Sequence, residues 1–284
     1  MHNIKLGSPN NKKTNLHKFI NQLDKDLNIN NYDDLHNWSI KNKNEFWSNV
    51  WDFTNFVGEK KGKIFKSAPE FTKNKFFDEC SINYAENCLI REDDDDSIIF
   101  HSENKIKRNY SWRELRSAVF KFANYLKNNN IEKNDRIAAI LPNIPETVIS
   151  FLSTAQLGAI WSSCSSDFGK KAIIDRFKQI EPKVLLFSDY YFYNNKKVDT
   201  TKIIKDVVYN IPSIEKIILI PYEFNEKDYQ LDFEYDNLCK ILQQEIAYSK
   251  FEKFNFNHPL YILYSSGTTG VPKCIVHSSG GALI

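Results

Sequence analysis

The sequence predicts an α/β fold, a parallel-rich sheet flanked by helices, preceded by a helical and aromatic-rich region. Three observations carry that expectation. Short apolar runs alternate with amphipathic helical stretches after the acidic run at residues 92–96. Runs such as "RIAAIL" are apolar without alternation, as strands covered on both faces of a parallel sheet are. Upstream, large rings recur four residues apart, the spacing of one helical face. The expected division is 1–92 for the helical region and 93–284 for the α/β part.

In "NWSIKNKNEFWSNVWDFTNF" the pairs Phe46/Val50 and Trp47/Trp51 share a helical stripe, expected to be a packing surface against the next domain. "EDDDD", Glu92 to Asp96, is costly to bury and marks an exposed turn. Adjacent carboxylates on such a run fix no coordination geometry, so no metal site is expected there. "SIIFHSE" predicts a strand. "SWRELRSAVFKFANYLKNN" opens on a capping box, Ser111 with Glu114, and lines Leu115, Val119, Phe122 and Leu126 along one face. "RIAAIL" is the next strand, and Pro145 and Glu146 suit the first turn of a helix that stops at Gly158. "KVLLFS", "KIILI" and "YILYSS" supply three more strands.

Composition excludes several classes. The chain of 284 residues is long enough for one large core or two smaller ones. Thirty-eight Lys plus Arg against 36 Asp plus Glu leave a net charge of +2, which gives no footprint for nucleic acid. The N-terminus lacks the apolar core of a secretory signal. The most apolar stretch, residues 137–161, is interrupted by Pro142, Pro145 and Glu146, so no membrane span is expected. Five cysteines without a CxxC pair point to reduced thiols in the cytoplasm. Cys274 is expected to be a small, partly buried filler and not a nucleophile.

The chemistry gathers in "LYILYSSGTTGVPKCIVHSSGG". The segment follows a predicted strand, at the carboxyl edge where α/β sheets bind ligands. Gly267 and Gly270 let the backbone take positive φ and approach a ligand, and successive amides in such a turn form an anion nest. Ser265, Ser266, Thr268 and Thr269 add hydroxyls, and Lys273 adds a mobile positive charge. Together they suit a polyphosphate, against the plain flexible loop that most such runs are. A P-loop is excluded, because Lys273 follows Pro272 and precedes Cys274 where GxxxxGK[ST] requires Ser or Thr. No GxGxxG is present in the segment. His277 has no visible acid or base partner and is expected to be a structural neighbour.

"YSSGTTGVPK" resembles the phosphate-binding signature of the adenylate-forming enzymes, the family of acyl-CoA synthetases, luciferases and peptide-synthetase adenylation domains. "WDFTNFVGEK", "INYAENCL" and "GAIWSSCSSDFGKKAIIDRFKQIEPKVLLF" extend the likeness, towards the acetoacetate-activating branch of the CoA ligases. The resemblance implies the N-terminal part of that family's large domain, and ATP, Mg2+, CoA and acetoacetate as the small molecules involved. It implies that Ser265, Ser266, Gly267, Thr268, Thr269, Gly270 and Lys273 hold the ATP phosphates. Lys196, in "YNNKK", stands where acetyl-CoA synthetases carry a CoA-contacting basic segment, although Asn replaces both glycines and a solvated surface turn fits the residues as well. Gly158, Trp161 and Asp167 belong to the family pattern, with roles expected in packing and turn formation. The resemblance puts the catalytic groups, Mg2+ ligands and acyl pocket beyond Ile284. The "SSGGALI" ending resembles a helix start, so an incomplete and by itself inactive polypeptide is expected. Acetyl- or propionyl-CoA synthesis, or a non-catalytic nucleotide-binding module, are the alternatives.

Overall fold

The computed structural model describes residues 14–103, 106–245, 250–265 and 270–284. They form two compact units, one ending at Cys80 and one beginning at Ser81.

The first unit opens with helices Asn15–Gln22, Tyr32–Lys41 and Lys43–Phe53. Thr14 and Asn31 cap the first two, each accepting a bond from a backbone N–H of the first turn. Phe19, Leu23 and Leu35 form the buried centre, and Phe46 and Val50 pack against it from one stripe of the third helix. Trp51 is buried and stacks on Phe56, with ring centroids 5.0 Å apart. After Phe53 the next α-helix of the 1–92 region is Tyr84–Cys88. Between them, Phe65–Lys66 pairs antiparallel with Lys75–Phe76. "GEKKGKIFKSAPE" carries two glycines, a proline and no helical apolar repeat, and Gly62 takes φ +67°.

The second unit begins with the short strand Ser81–Ile82, paired antiparallel with Phe254–Asn255, and helix Tyr84–Cys88; the antiparallel strands Asp96–Ser102 and Ile106–Ser111 follow. Helix Trp112–Asn128 follows, and both halves of its capping box are formed: Glu114 N–H donates to Ser111 Oγ at 3.2 Å, and Ser111 N–H to Glu114 Oε2 at 2.8 Å. Glu92 and Asp94–Asp96 are exposed, Asp93 is half-buried, and Arg91, Arg113 and Arg116 pair with members of the run.

A seven-stranded sheet organises the rest. Its strands are β1 (Arg136–Ile140), β2 (Ile160–Cys164), β3 (Val184–Ser188), β4 (Lys216–Ile220), β5 (Asp236–Asn237), β6 (Pro259–Ser265) and β7 (Lys273–Ser278). Their spatial order is β5-β4-β3-β1-β2-β6-β7, parallel throughout except that β7 runs antiparallel to β6. The unbroken apolar runs follow from this arrangement. Ile137, Ala139, Val184, Leu186, Ile218 and Ile220 enter one core, while their neighbours Ala138, Ile140, Leu185, Phe187, Ile217 and Leu219 enter the other. Phe122 and Leu126 of helix Trp112–Asn128 cover the first face; Ile173, Phe177, Ile204 and Val207, from helices Lys170–Phe177 and Thr201–Asn210, cover the second.

Helix Pro145–Gln156 begins at the expected proline, and Gly158 just beyond it takes φ +67°. A Cβ there would stand 2.8 Å from the Phe254 ring, so this position requires glycine on both counts. Trp161 is buried in β2, a strand whose two serines hid it from an apolar-run criterion. Ser162 is fully buried there and donates to the Ile262 carbonyl at 2.9 Å, satisfying its hydroxyl. The C-terminal residues Ser279–Leu283 are helical, capped by Ser278, as their sequence implied. No helix among the described residues is long and apolar enough to cross a membrane.

Candidate phosphate-binding site

The glycine-rich segment joins the two arms of a hairpin at one border of the sheet. β6 runs parallel to β2, with Tyr261 opposite Trp161, and therefore ends at the carboxyl edge. β7 returns antiparallel, so that Lys273 lies directly opposite Ser265. Ser266, Gly267, Thr268 and Thr269 lie outside the described residues. Gly270 takes φ +109°, with open space where a Cβ would stand. The hairpin thus brings a hydroxyl, a glycine in a conformation side chains disfavour, and an exposed ammonium to one place.

The strand feeding this loop is less buried than its apolar sequence implied. Leu260 and Ile262 are buried, but Leu263 is 46% exposed and Tyr264 and Ser265 are half-buried. β7 is an edge strand, with Ile275 46% and Val276 56% exposed on successive, opposite-pointing positions. Side chains on both faces of β7 reach solvent, and only one side of its backbone is paired by a neighbouring strand. Beside the hairpin, Val148, Phe151, Trp161, Tyr261 and Leu263 line a 300 Å³ apolar pocket.

The base of the hairpin is tied to β2 and to the segment after it. Ser162 Oγ lies 3.1 Å from the Tyr264 hydroxyl, whose pKa burial pushes up. The Arg176 guanidinium lies over the Phe168 and Tyr264 rings, at 4.8 and 5.8 Å. Burial raises the Cys164 thiol to about 12. Cys274 is exposed, where sequence suggested a partly buried filler, because it stands on the edge strand. Desolvation still raises its pKa, which keeps it a thiol and disfavours a nucleophilic role. The His277 ring tilts against Tyr261 at 4.9 Å, a packing contact.

Lys196 lies elsewhere, in a small hairpin of Tyr190–Tyr193 and Lys196–Asp199. Asn194 and Asn195 form its turn with φ +49° and +59°, and the Glu103 carboxylate accepts from both amides at 3.0 and 2.7 Å. Asparagine tolerates this left-handed geometry, so the turn forms without glycine. Lys196 is exposed at the start of the returning strand. The neighbouring Lys197 folds over the Tyr190 ring at 3.5 Å. Among the described residues no group of three His, Cys, Asp or Glu side chains is placed to hold a metal ion.

A mostly parallel sheet covered by helices on both faces, with a hairpin at one border, defines the chain as an α/β protein. Residues 90–284 match the family described as AMP-binding enzyme, and the chain belongs to that family. It is 39% identical over 255 residues to an acetoacetyl-coenzyme A synthetase of Rhizobium meliloti, an alignment covering 89% of this chain and 39% of that protein. An acetoacetyl-CoA synthetase of Xenopus tropicalis is 37% identical, covering 97% of this chain and 43% of the relative. A malonamoyl-CoA synthetase of Penicillium aethiopicum is 28% identical over 96% of this chain. The solved structure of acetoacetyl-CoA synthetase from Streptomyces lividans superposes with a TM-score of 0.87 at 30% identity, over 96% of this chain and 42% of that one. The chain therefore spans about two-fifths of the length of these acetoacetyl relatives.

Proposed function

We propose that this chain carries the ATP-phosphate grip of an AMP-forming acetoacetate–CoA ligase. In that reaction the acetoacetate carboxylate attacks the α-phosphorus of ATP, pyrophosphate leaves, and the CoA thiol then displaces AMP to form the thioester. The observation that carries it is the 39% identity to an acetoacetyl-coenzyme A synthetase across 89% of this chain. The hairpin supports it chemically. Ser265, Ser266, Gly267, Thr268, Thr269 and Gly270 would supply hydroxyls and amides to the β- and γ-phosphates, and Lys273 a charge for the departing pyrophosphate. Mg2+ would neutralise phosphate charge when bound, and the described residues offer it no ligand cluster. Lys196 is an exposed cation able to meet a CoA phosphate.

One relative favours a second substrate. Acetoacetate and malonamate differ by a methyl against an amino group on the same 3-oxo acid, and the malonamoyl-CoA relative covers 96% of this chain. The grip is tested by calorimetric titration of MgATP into the 284-residue chain, where loss of all binding would refute it. Because this chain spans about two-fifths of its relatives' length, acetoacetate-dependent ATP–pyrophosphate exchange by these residues alone is expected to stay at background. Substrate choice is read from exchange by the protein expressed from its natural locus. Acetoacetate should outrun malonamate, acetate and propionate; a faster acetate rate overturns the assignment.

A further inference from the structure

We infer that Gln179 is a positioning residue for the Lys273 arm of the phosphate hairpin. Gln179 follows helix Lys170–Phe177 and is 93 residues away in sequence from the hairpin. Its Nε2 donates to the Pro272 carbonyl at 2.9 Å, and its Oε1 lies 3.7 Å from the Cys274 Sγ. One side-chain amide therefore brackets Lys273, holding the residue before it and the residue after it. The same Nε2 also donates to the Asp175 carbonyl at 2.7 Å, which fixes the amide to its own helix. Arg176, one turn earlier, presents its guanidinium to the Tyr264 ring on the other arm of the hairpin. Both arms are thus held from a single helical segment.

The need for such a tie follows from the burial of β7. As an edge strand with exposed Ile275 and Val276, β7 has little apolar packing to hold it. A lysine on a loose strand would lose backbone as well as side-chain freedom on meeting a phosphate. Bonds to the residues on either side remove part of that loss beforehand. Gln179 touches no phosphate itself; it acts by where it puts Lys273. An ionised carboxylate in its place would lack the donor that Pro272 requires.

The assignment rests on the phosphate-grip proposal for its ligand, so two measurements separate the two ideas. The first needs no ligand: hydrogen exchange of the amides across residues 273–277 in the wild type, Gln179→Ala and Gln179→Glu. Both variants should exchange faster there by about two- to ten-fold, the range of one net hydrogen bond, with exchange in β1 and β3 unchanged. The second is affinity for MgATP and for inorganic pyrophosphate in wild type, Gln179→Ala, Lys273→Ala and the double variant. Gln179→Ala should weaken binding by about two- to ten-fold at an unaltered melting temperature, and should add almost nothing once Lys273 is gone. Unchanged exchange at the hairpin overturns the inference, and so does full additivity of the two substitutions. A wild-type chain that binds neither ligand refutes the grip, and hydrogen exchange then still decides whether Gln179 ties the arm.

Discussion

The centre of the large sheet and its hairpin border are built from similar β-sequence but live in different environments. In β3 every residue from Val184 to Ser188 is buried, whereas most of β7 is exposed. β1 and β3 have strand neighbours on both sides and helices above and below; β7 has one neighbour. The difference separates two tasks. The centre supplies stability through burial of apolar surface, and the border keeps its polar groups reachable by a ligand. Stability and phosphate binding should therefore respond to different substitutions.

The largest expected effect is at Glu146, a fully buried carboxylate in the first turn of helix Pro145–Gln156. Arg108 donates to it twice, at 2.6 and 3.0 Å, and the Tyr110 hydroxyl once at 2.9 Å. Glu146→Ala strands the Arg108 charge and should cost about 3–5 kcal/mol, read as a drop in the urea midpoint. Next comes Leu186→Ala, a cavity in the middle of β3, at about 2–5 kcal/mol. The border should behave in the opposite way. Lys273→Ala is expected to leave the melting temperature alone and weaken MgATP binding by about ten-fold, measured by calorimetry. A stability loss there as large as that of Leu186→Ala would erase the distinction between the regions.

A smaller effect is expected from pH. His258 is buried, its Nε2–H donating to the Gly158 carbonyl at 2.7 Å, and burial holds its pKa below the ordinary value. The unfolded chain takes up a proton first, near pH 6.5, so stability present above that pH is lost as the solution is acidified through it. The melting temperature should fall between pH 7.5 and 5.5, and His258→Gln should flatten part of that fall. The least effect belongs to Ile275→Thr on β7, within about 0.5 kcal/mol of wild type, with less self-association on concentration.

Much of the scaffold was legible because its signals are local. Apolar runs gave β1, β3 and β4; the Ser111 and Glu114 spacing gave the cap; Pro145 and Gly158 bounded a helix. β2 was harder to see, since its serines look polar until Ser162 is placed against the Ile262 carbonyl. β7 was hidden because "KCIVHS" follows a glycine-rich segment and gains strand character only by pairing with β6. Between Phe53 and helix Tyr84–Cys88 the helical expectation had no periodicity behind it, and Phe65–Lys66 pairs there with Lys75–Phe76.

For the candidate site, the sequence by itself determined the chemistry: glycines able to take positive φ, hydroxyls, one lysine, and a spacing unlike a P-loop. These are properties of residue type and near-neighbour spacing, which a linear chain records. The tertiary structure alone decided that Lys273 faces Ser265 across an exposed edge, that Glu146 is buried beneath Arg108, and that Gln179 reaches Pro272. Contacts between residues 38 or 93 positions apart depend on how strands are ordered and helices packed, and that order is set by burial of the whole sheet.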